Sequence, residues 1–139
     1  MTLKMADKGD EEVLTAAKVR WVAGAAVKLH LFKNDYTPTT ADTIANYTES
    51  TFPGYAAASA NNWQAPTTAA HVSSMLEQAR TFTRNATGAT ENVYGYYVTD
   101  NASANLFWAE RDPAAPIPLT NNGDSYTVTL RLTAQDLST

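Results

Sequence analysis

The stretch Thr120-Asn-Asn-Gly-Asp-Ser-Tyr-Thr-Val-Thr-Leu-Arg-Leu-Thr133 decides the fold class. From Tyr126 onward Tyr126, Val128, Leu130 and Leu132 point one way, and Thr127, Thr129, Arg131 and Thr133 the other. A period of two is what a strand with one buried face requires. Asn122-Gly123 lies just before it, where a tight turn needs positive φ and these two residues adopt it at least cost. Working back along the chain, residues 92–99 and 105–111 read as two further strands, joined by a turn at residues 100–104. Both are apolar on both faces: Tyr94, Tyr96 and Val98 against Val93 and Tyr97, then Leu106 and Trp108 against Phe107 and Ala109. Such strands are central in a sheet or have their outer face covered.

Residues 26–33 alternate as well, placing Val27, Leu29 and Leu31 inward and Lys28, His30 and Phe32 outward, before a turn at Asn34-Asp-Tyr-Thr-Pro38. Residues 39–66 form a long excursion with one short strand near residues 54–59. Within residues 67–84, helix propensity at 75–79 competes with β-propensity at Thr81, Phe82 and Thr83, and a strand over residues 78–84 is expected. Residues 112–118 contain three prolines and read as an extended linker. At the start, Asp10, Glu11 and Glu12 supply a cap and an acidic first turn, with Lys18 and Arg20 near the far end. Leu14, Ala17 and Trp21 form an apolar stripe with Val13 beside it, and Gly24 is a stop. A helix over residues 11–23 follows, preceded by a flexible arm of residues 1–10. Short strands with turn signals at this spacing predict a mainly β chain: an antiparallel β-sandwich, jelly-roll or immunoglobulin-like, in a single domain over residues 11–139 with the helix at its N-terminal end.

The chain has 139 residues and no cysteine, which excludes disulfides, thiolate catalysis and cysteine-based metal sites. The net charge of −4 argues against a nucleic-acid partner. No apolar run reaches the ~20 residues of a membrane span, and no cleavable signal is read. Charged residues are 17% of the chain against about 25% usually, while Ala, Thr and Asn make up 54 of the 139 residues. A neutral hydroxyl- and amide-rich surface loses little hydration when covered by a partner.

Candidate chemistry is sparse. His30 and His71 have no carboxylate or second histidine at metal-ligand spacing, and His30 is expected on the polar face of its strand. Asp100-Asn101 and Asn121-Asn-Gly-Asp124 are oxygen-rich, but hairpin turns want the same residues. Glu110 and Arg111 point to opposite faces and cannot pair with each other; general-acid work by Glu110 would want a second carboxylate that the sequence does not place beside it, and a cross-strand ion pair is expected instead. No nucleophile–base order or phosphate loop is present, and neither enzymatic activity nor a cofactor or metal is expected. The aromatic set Tyr36, Tyr47, Tyr55, Trp63, Tyr94, Tyr96 and Trp108 suits a core or a subunit interface, or else a sugar-stacking platform.

Leu29-His-Leu-Phe-Lys-Asn-Asp-Tyr-Thr-Pro38, Tyr47-Thr-Glu49 with Phe52-Pro-Gly-Tyr-Ala56, Asn92-Val-Tyr-Gly-Tyr-Tyr-Val-Thr99, Trp108-Ala-Glu-Arg111 and Asn121-Asn-Gly-Asp124 resemble segments of small virion structural proteins of tailed bacteriophages. The resemblance spans about residues 9–133 and departs from that pattern at residues 67–80. It implies a capsid cement, or decoration, protein on the virion surface that docks on the major capsid protein and on copies of itself as a trimer or dimer. The alternative it implies is a tail-fibre or receptor-binding component that recognises carbohydrate. The expected interface residues are Tyr36, Tyr47, Trp63, Tyr94, Tyr96, Trp108, Pro113 and Pro116, with the arm at residues 1–10 and the segment 112–118 reaching a neighbour.

Overall fold

The computed structural model describes residues 7–22 and 27–134, with backbone alone at residues 7, 21 and 22. In chain order the elements are α1 (Asp7–Val22), β1 (Val27–Phe32), β2 (Ala58–Ala60), β3 (Thr67–Ala69), β4 (Val72–Leu76), β5 (Arg80–Thr83), β6 (Glu91–Val93), β7 (Gly95–Thr99), β8 (Leu106–Arg111), β9 (Ile117–Leu119), β10 (Ser125–Val128) and β11 (Arg131–Ala134). The described chain is mainly β, its strand pairings are antiparallel, and its α-helix is N-terminal, consistent with the β-sandwich class read from the sequence. The backbone contacts of the described residues fall into two compact units, one of residues 27–59 and 80–128, the other of residues 7–22, 60–79 and 129–134.

In the smaller unit α1 packs on a three-stranded sheet of order β11-β4-β3. The helix starts four residues earlier than expected, because Lys8 reaches the carboxylates of Glu11 at 3.2 Å and Glu12 at 3.4 Å and so supports one more turn. Residues 7–10 of the expected arm are therefore helical, and Asp10, read as the cap, is a buried helix residue. Leu14 is buried as expected, whereas Val13 faces solvent; the Trp21 side chain, Gly24 and residues 1–6 lie outside the described residues. Strands β3 and β4 form a hairpin where a helix-prone segment was read. Ser73, Met75 and Glu77 point inward while Leu76 is exposed, so the period of two is present but carries polar residues on its buried face. Ala70 and His71 turn the hairpin at φ 49° and 62°, values that Asn and Gly usually supply.

In the larger unit the main sheet runs β2-β1-β7-β8, with two further pairs, β10 with β5 and β6 with β9. Strand β7 is central as predicted, and Tyr97, Val98 and Thr99 are all buried. The expected strand at residues 92–99 is broken at Tyr94, whose N–H donates to Phe32 O and whose carbonyl accepts from Asp112 N, both at 2.9 Å. Before the break β6 pairs with β9, and after it β7 pairs with β1 and β8. Residues 112–118 are only partly a linker, because Ile117–Leu119 form β9 and Pro118 sits opposite Asn92. The last predicted strand keeps its alternation from Tyr126 to Thr133, yet β10 pairs in the larger unit and β11 in the smaller.

Candidate functional site

The loop after β1 folds around one carboxylate. Asp42 Oδ1 accepts from the hydroxyls of Tyr36 (2.7 Å) and Thr39 (2.6 Å), and Oδ2 from Thr39 N (2.9 Å) and the Tyr47 hydroxyl (2.6 Å). Four donors fill the acceptor sites of a carboxylate. Desolvation works against its charge, but the bonds from Thr39, Tyr47 and Tyr36 outweigh it and hold Asp42 well below the usual carboxylate range. Burial, and then Asp42 itself, push the Tyr47 phenol far above its usual range.

Beside this knot lies a groove of about 420 Å³, lined by Pro38, Thr39, Thr40, Asp42 and Tyr47 together with Phe107, Trp108 and Ala109 of β8. Strand β8 ends the main sheet. Phe107 is 46% exposed, the clearest departure from burial among the large apolar residues of this unit. Its ring lies 6.4 Å from that of Trp108 at an interplanar angle of 19°. With Asp42 already saturated, the groove offers aromatic faces and threonine hydroxyls but no free acid or base. It can bind by contact and stacking; nothing in it is placed to move a proton.

A second constellation joins β1, β7 and the excursion, with His30 and Thr99 buried and Glu49 at its partly exposed end. His30 Nδ1 is 2.8 Å from Glu49 Oε1, and Nε2 is 3.0 Å from Thr99 Oγ1. The order hydroxyl, imidazole, carboxylate is that of a hydrolytic triad. Thr99, however, is fully buried and its hydroxyl donates to Asp100 O at 2.9 Å, so no substrate carbonyl can approach it. The outward polar position expected for His30 is thereby corrected. The outer face of β1 is itself covered, by Tyr97 stacked on the His30 ring at 4.7 Å and by the Tyr47 and Tyr97 rings that pack with Phe32.

A further groove, of about 510 Å³, is lined by Lys33, Thr51, Arg84, Glu91 and Tyr94 among others. Its charges are engaged within the fold. Glu91 accepts from Thr51 N (2.9 Å), the Thr51 hydroxyl (3.0 Å) and Lys33 Nζ (3.2 Å), while buried Arg84 donates to the carbonyls of Ala86, Leu119 and Ala89.

The expected interface residues part company. Trp63 is 3% exposed and its indole N–H donates to Ala60 O, so it is a core residue of the smaller unit. Tyr47 is likewise buried, and Tyr36 is fastened to Asp42. Tyr94 is half-buried beneath the Arg111 guanidinium, 5.1 Å from its ring centre. Tyr96 is half-buried and donates to Glu110 at 2.6 Å. Trp108 lines the first groove, and Pro113 and Pro116 are exposed. The cross-strand ion pair expected for Glu110 is not what is found: its hydrogen-bond partner is the Tyr96 phenol, while Arg111 pairs with Asp35 of the loop after β1 at 2.6 Å. Asp100 and Asp124 both spend their carboxylates on nearby N–H groups, as turn residues do. Sequence reasoning missed Phe107, Asp42 and Glu49. A signal existed for the last: Glu49 is the only Asp, Glu, Lys or Arg between Thr43 and Leu76, a placement that pure solubility does not require.

Among the described residues no cluster of His, Asp and Glu could hold a metal ion, and no helix is long and apolar enough to cross a membrane. Comparison with protein-family models, curated proteins and solved structures finds no match to this chain.

Proposed function

We propose that the protein is a virion structural component, a capsid cement protein whose larger unit docks on the major capsid protein through the groove beside β8. The observation that carries this reading is Phe107, half exposed on the last strand of the main sheet, next to Trp108 in a groove whose one carboxylate is already satisfied from within. Aromatic side chains flanked by neutral hydroxyls lose little hydration when covered, and buried aromatics dominate interface energetics. The resemblance of residues 9–133 to small phage virion proteins supplies the partner, and the low charge of the chain agrees with a life spent docked. Self-association as a trimer or dimer around the shell's symmetry axes turns modest contacts into durable ones, because neighbouring contacts hold each subunit near its site.

The test is to add purified protein to undecorated shells. Wild type should bind in many copies and raise the shell's resistance to heat, and Phe107→Asp should abolish binding while leaving the isolated protein folded. Undiminished decoration by Phe107→Asp sinks the assignment of this groove.

A second reading, a receptor-binding component that recognises carbohydrate, is favoured by one observation. Phe107 and Trp108 present near-parallel rings in a groove that Thr39 and Thr40 also line, a combination of flat faces and hydroxyls that suits a sugar ring. It expects few copies per particle and binding of the purified protein to host cells.

A further inference from the structure

Among the described residues β8 has β7 on one side and no strand on the other. Its backbone directions follow from the ladder with β7. At one end Asp112 N donates to Tyr94 O at 2.9 Å, and at the other Asp100 N donates to Asn105 O at 3.1 Å, so residues 112 and 105 face β7. Antiparallel strands turn alternate residues toward and away from a neighbour. Counting back from Asp112 turns Arg111 and Ala109 outward; counting forward from Asn105 turns Leu106 outward. The two counts are reconciled by a bulge: Val98 opposes Trp108 and Thr99 opposes Leu106, which leaves Phe107 without a counterpart. The groove beside β8 meets both faces of the strand. Leu106 and Ala109 pack on the side of Phe32, Tyr47 and Tyr97, Trp108 lies across from Val98 on the other side, and all three line the groove. A groove that reaches both faces of a strand runs along its backbone edge.

We propose that an extended segment of the capsid protein adds to this edge, as a fifth, antiparallel strand of the main sheet beside β8. Strand addition of this kind rests on docking to the shell and specifies how the shell is gripped. An open edge is a template for another chain; main-chain bonds hold the added strand and side-chain contacts select it. Ala109 and Arg111 each turn one N–H and one C=O toward it.

Charge decides against a second copy as the added strand. Glu110, between the two outward residues, is exposed and accepts one hydrogen bond, from Tyr96. Pairing Ala109 with Arg111 of a second β8 sets the two Glu110 carboxylates directly opposite each other. Pairing Arg111 with itself sets Glu110 against Asp112. Like charges so placed destabilise a sheet. Pairing Ala109 with itself runs into the bulge on both sides. The segment that fits carries lysine or arginine opposite Glu110. Where it lies against Leu106 to Ala109 it is uncharged, since Asp42, the carboxylate of that groove, is already saturated.

The test is hydrogen exchange resolved to single backbone amides, on the full chain free and bound to undecorated shells. On the shell the Ala109 and Arg111 amides should slow by about tenfold or more, while the Glu110 amide, already turned toward β7, should change little. Docking that leaves both amides at their free rates overturns strand addition and leaves docking itself standing; no docking sinks both. Slowing of the same amides in the free protein, in step with dimer formation, gives the edge to a second copy and also overturns the proposal. Ala109→Pro is the matching variant, because an edge strand tolerates proline where the N–H faces solvent. It should fold and bind shells about tenfold more weakly or worse, whereas Ala109→Ser, which keeps the N–H, should bind as wild type does. Undiminished binding by Ala109→Pro overturns the proposal, and wild-type exchange decides even if that variant fails to fold.

Discussion

Gly95 of β7 and Glu110 of β8 approach so closely that any Cβ on Gly95 would collide with the Glu110 carbonyl oxygen, and would also come within 2.9 Å of Phe32 Cε1 and of Arg111 Cα. Two of these obstacles are backbone atoms, which cannot swing aside. Gly95→Ala should therefore destabilise the larger unit by about 3 kcal/mol, at the top of the usual range for overpacking. Urea unfolding followed by tyrosine and tryptophan fluorescence would measure it, and a change below about 1 kcal/mol would mean that β7 and β8 can separate freely.

Trp63 and Phe107 make a paired test of which aromatics are structural. Trp63→Ala removes a buried indole and should cost about 3–5 kcal/mol. Phe107→Ser alters a half-exposed ring and should stay within about 0.5 kcal/mol of wild type. Equal losses in the two variants would place Phe107 in the core.

Arg84 is a buried cation satisfied by three carbonyls, those of Ala86, Ala89 and Leu119. Arg84→Ala strips these acceptors and should cost about 2–4 kcal/mol. Arg84→Lys should recover little of that, since an ammonium cannot present the planar fork that reaches divergent carbonyls. Accelerated proteolysis at residues 85–90 in both variants is the accompanying readout; full rescue by lysine would show that charge alone suffices.

Asp42 sets part of the acid limb of stability. Its folded-state titration is depressed below the ordinary carboxylate value of ~3.9 by the Thr39, Tyr47 and Tyr36 bonds, against desolvation. A depressed carboxylate contributes stability that is present above its unfolded titration and is lost as pH falls toward the folded one. Asp42→Asn should thus be less stable than wild type at pH 6, with the gap closing as pH falls below about 4. Denaturant midpoints from pH 6 down to pH 2 would show the convergence, and parallel curves would remove Asp42 from the account.

The alternation from Tyr126 to Thr133 was legible without coordinates, because side-chain direction along a strand is a local property with period two. The turn at Asn122-Gly123, with Gly123 at φ 94°, was legible for the same reason. The burial of β7 on both faces could be read from its unbroken apolar run. At residues 72–77 the same logic fails, since Ser73 and Glu77 point inward and Leu76 outward, reversing the polarity on which pattern reading relies. His30 was misplaced because the rings that cover its face, Tyr47 and Tyr97, come from residues 17 and 67 positions away.

The chain by itself determined its class: antiparallel strands punctuated by turns, one helix at the N-terminal end, and a chemistry without thiols. Those follow from backbone preferences and the spacing of apolar residues, which act over a few positions. Only the tertiary structure decided that one continuous alternation serves two sheets, that Asp42 is saturated rather than free, and that Phe107 rather than Trp63 meets solvent. Hydrogen bonds and ring contacts between distant segments settle such questions, and they depend on where the chain returns to itself, which no local pattern encodes.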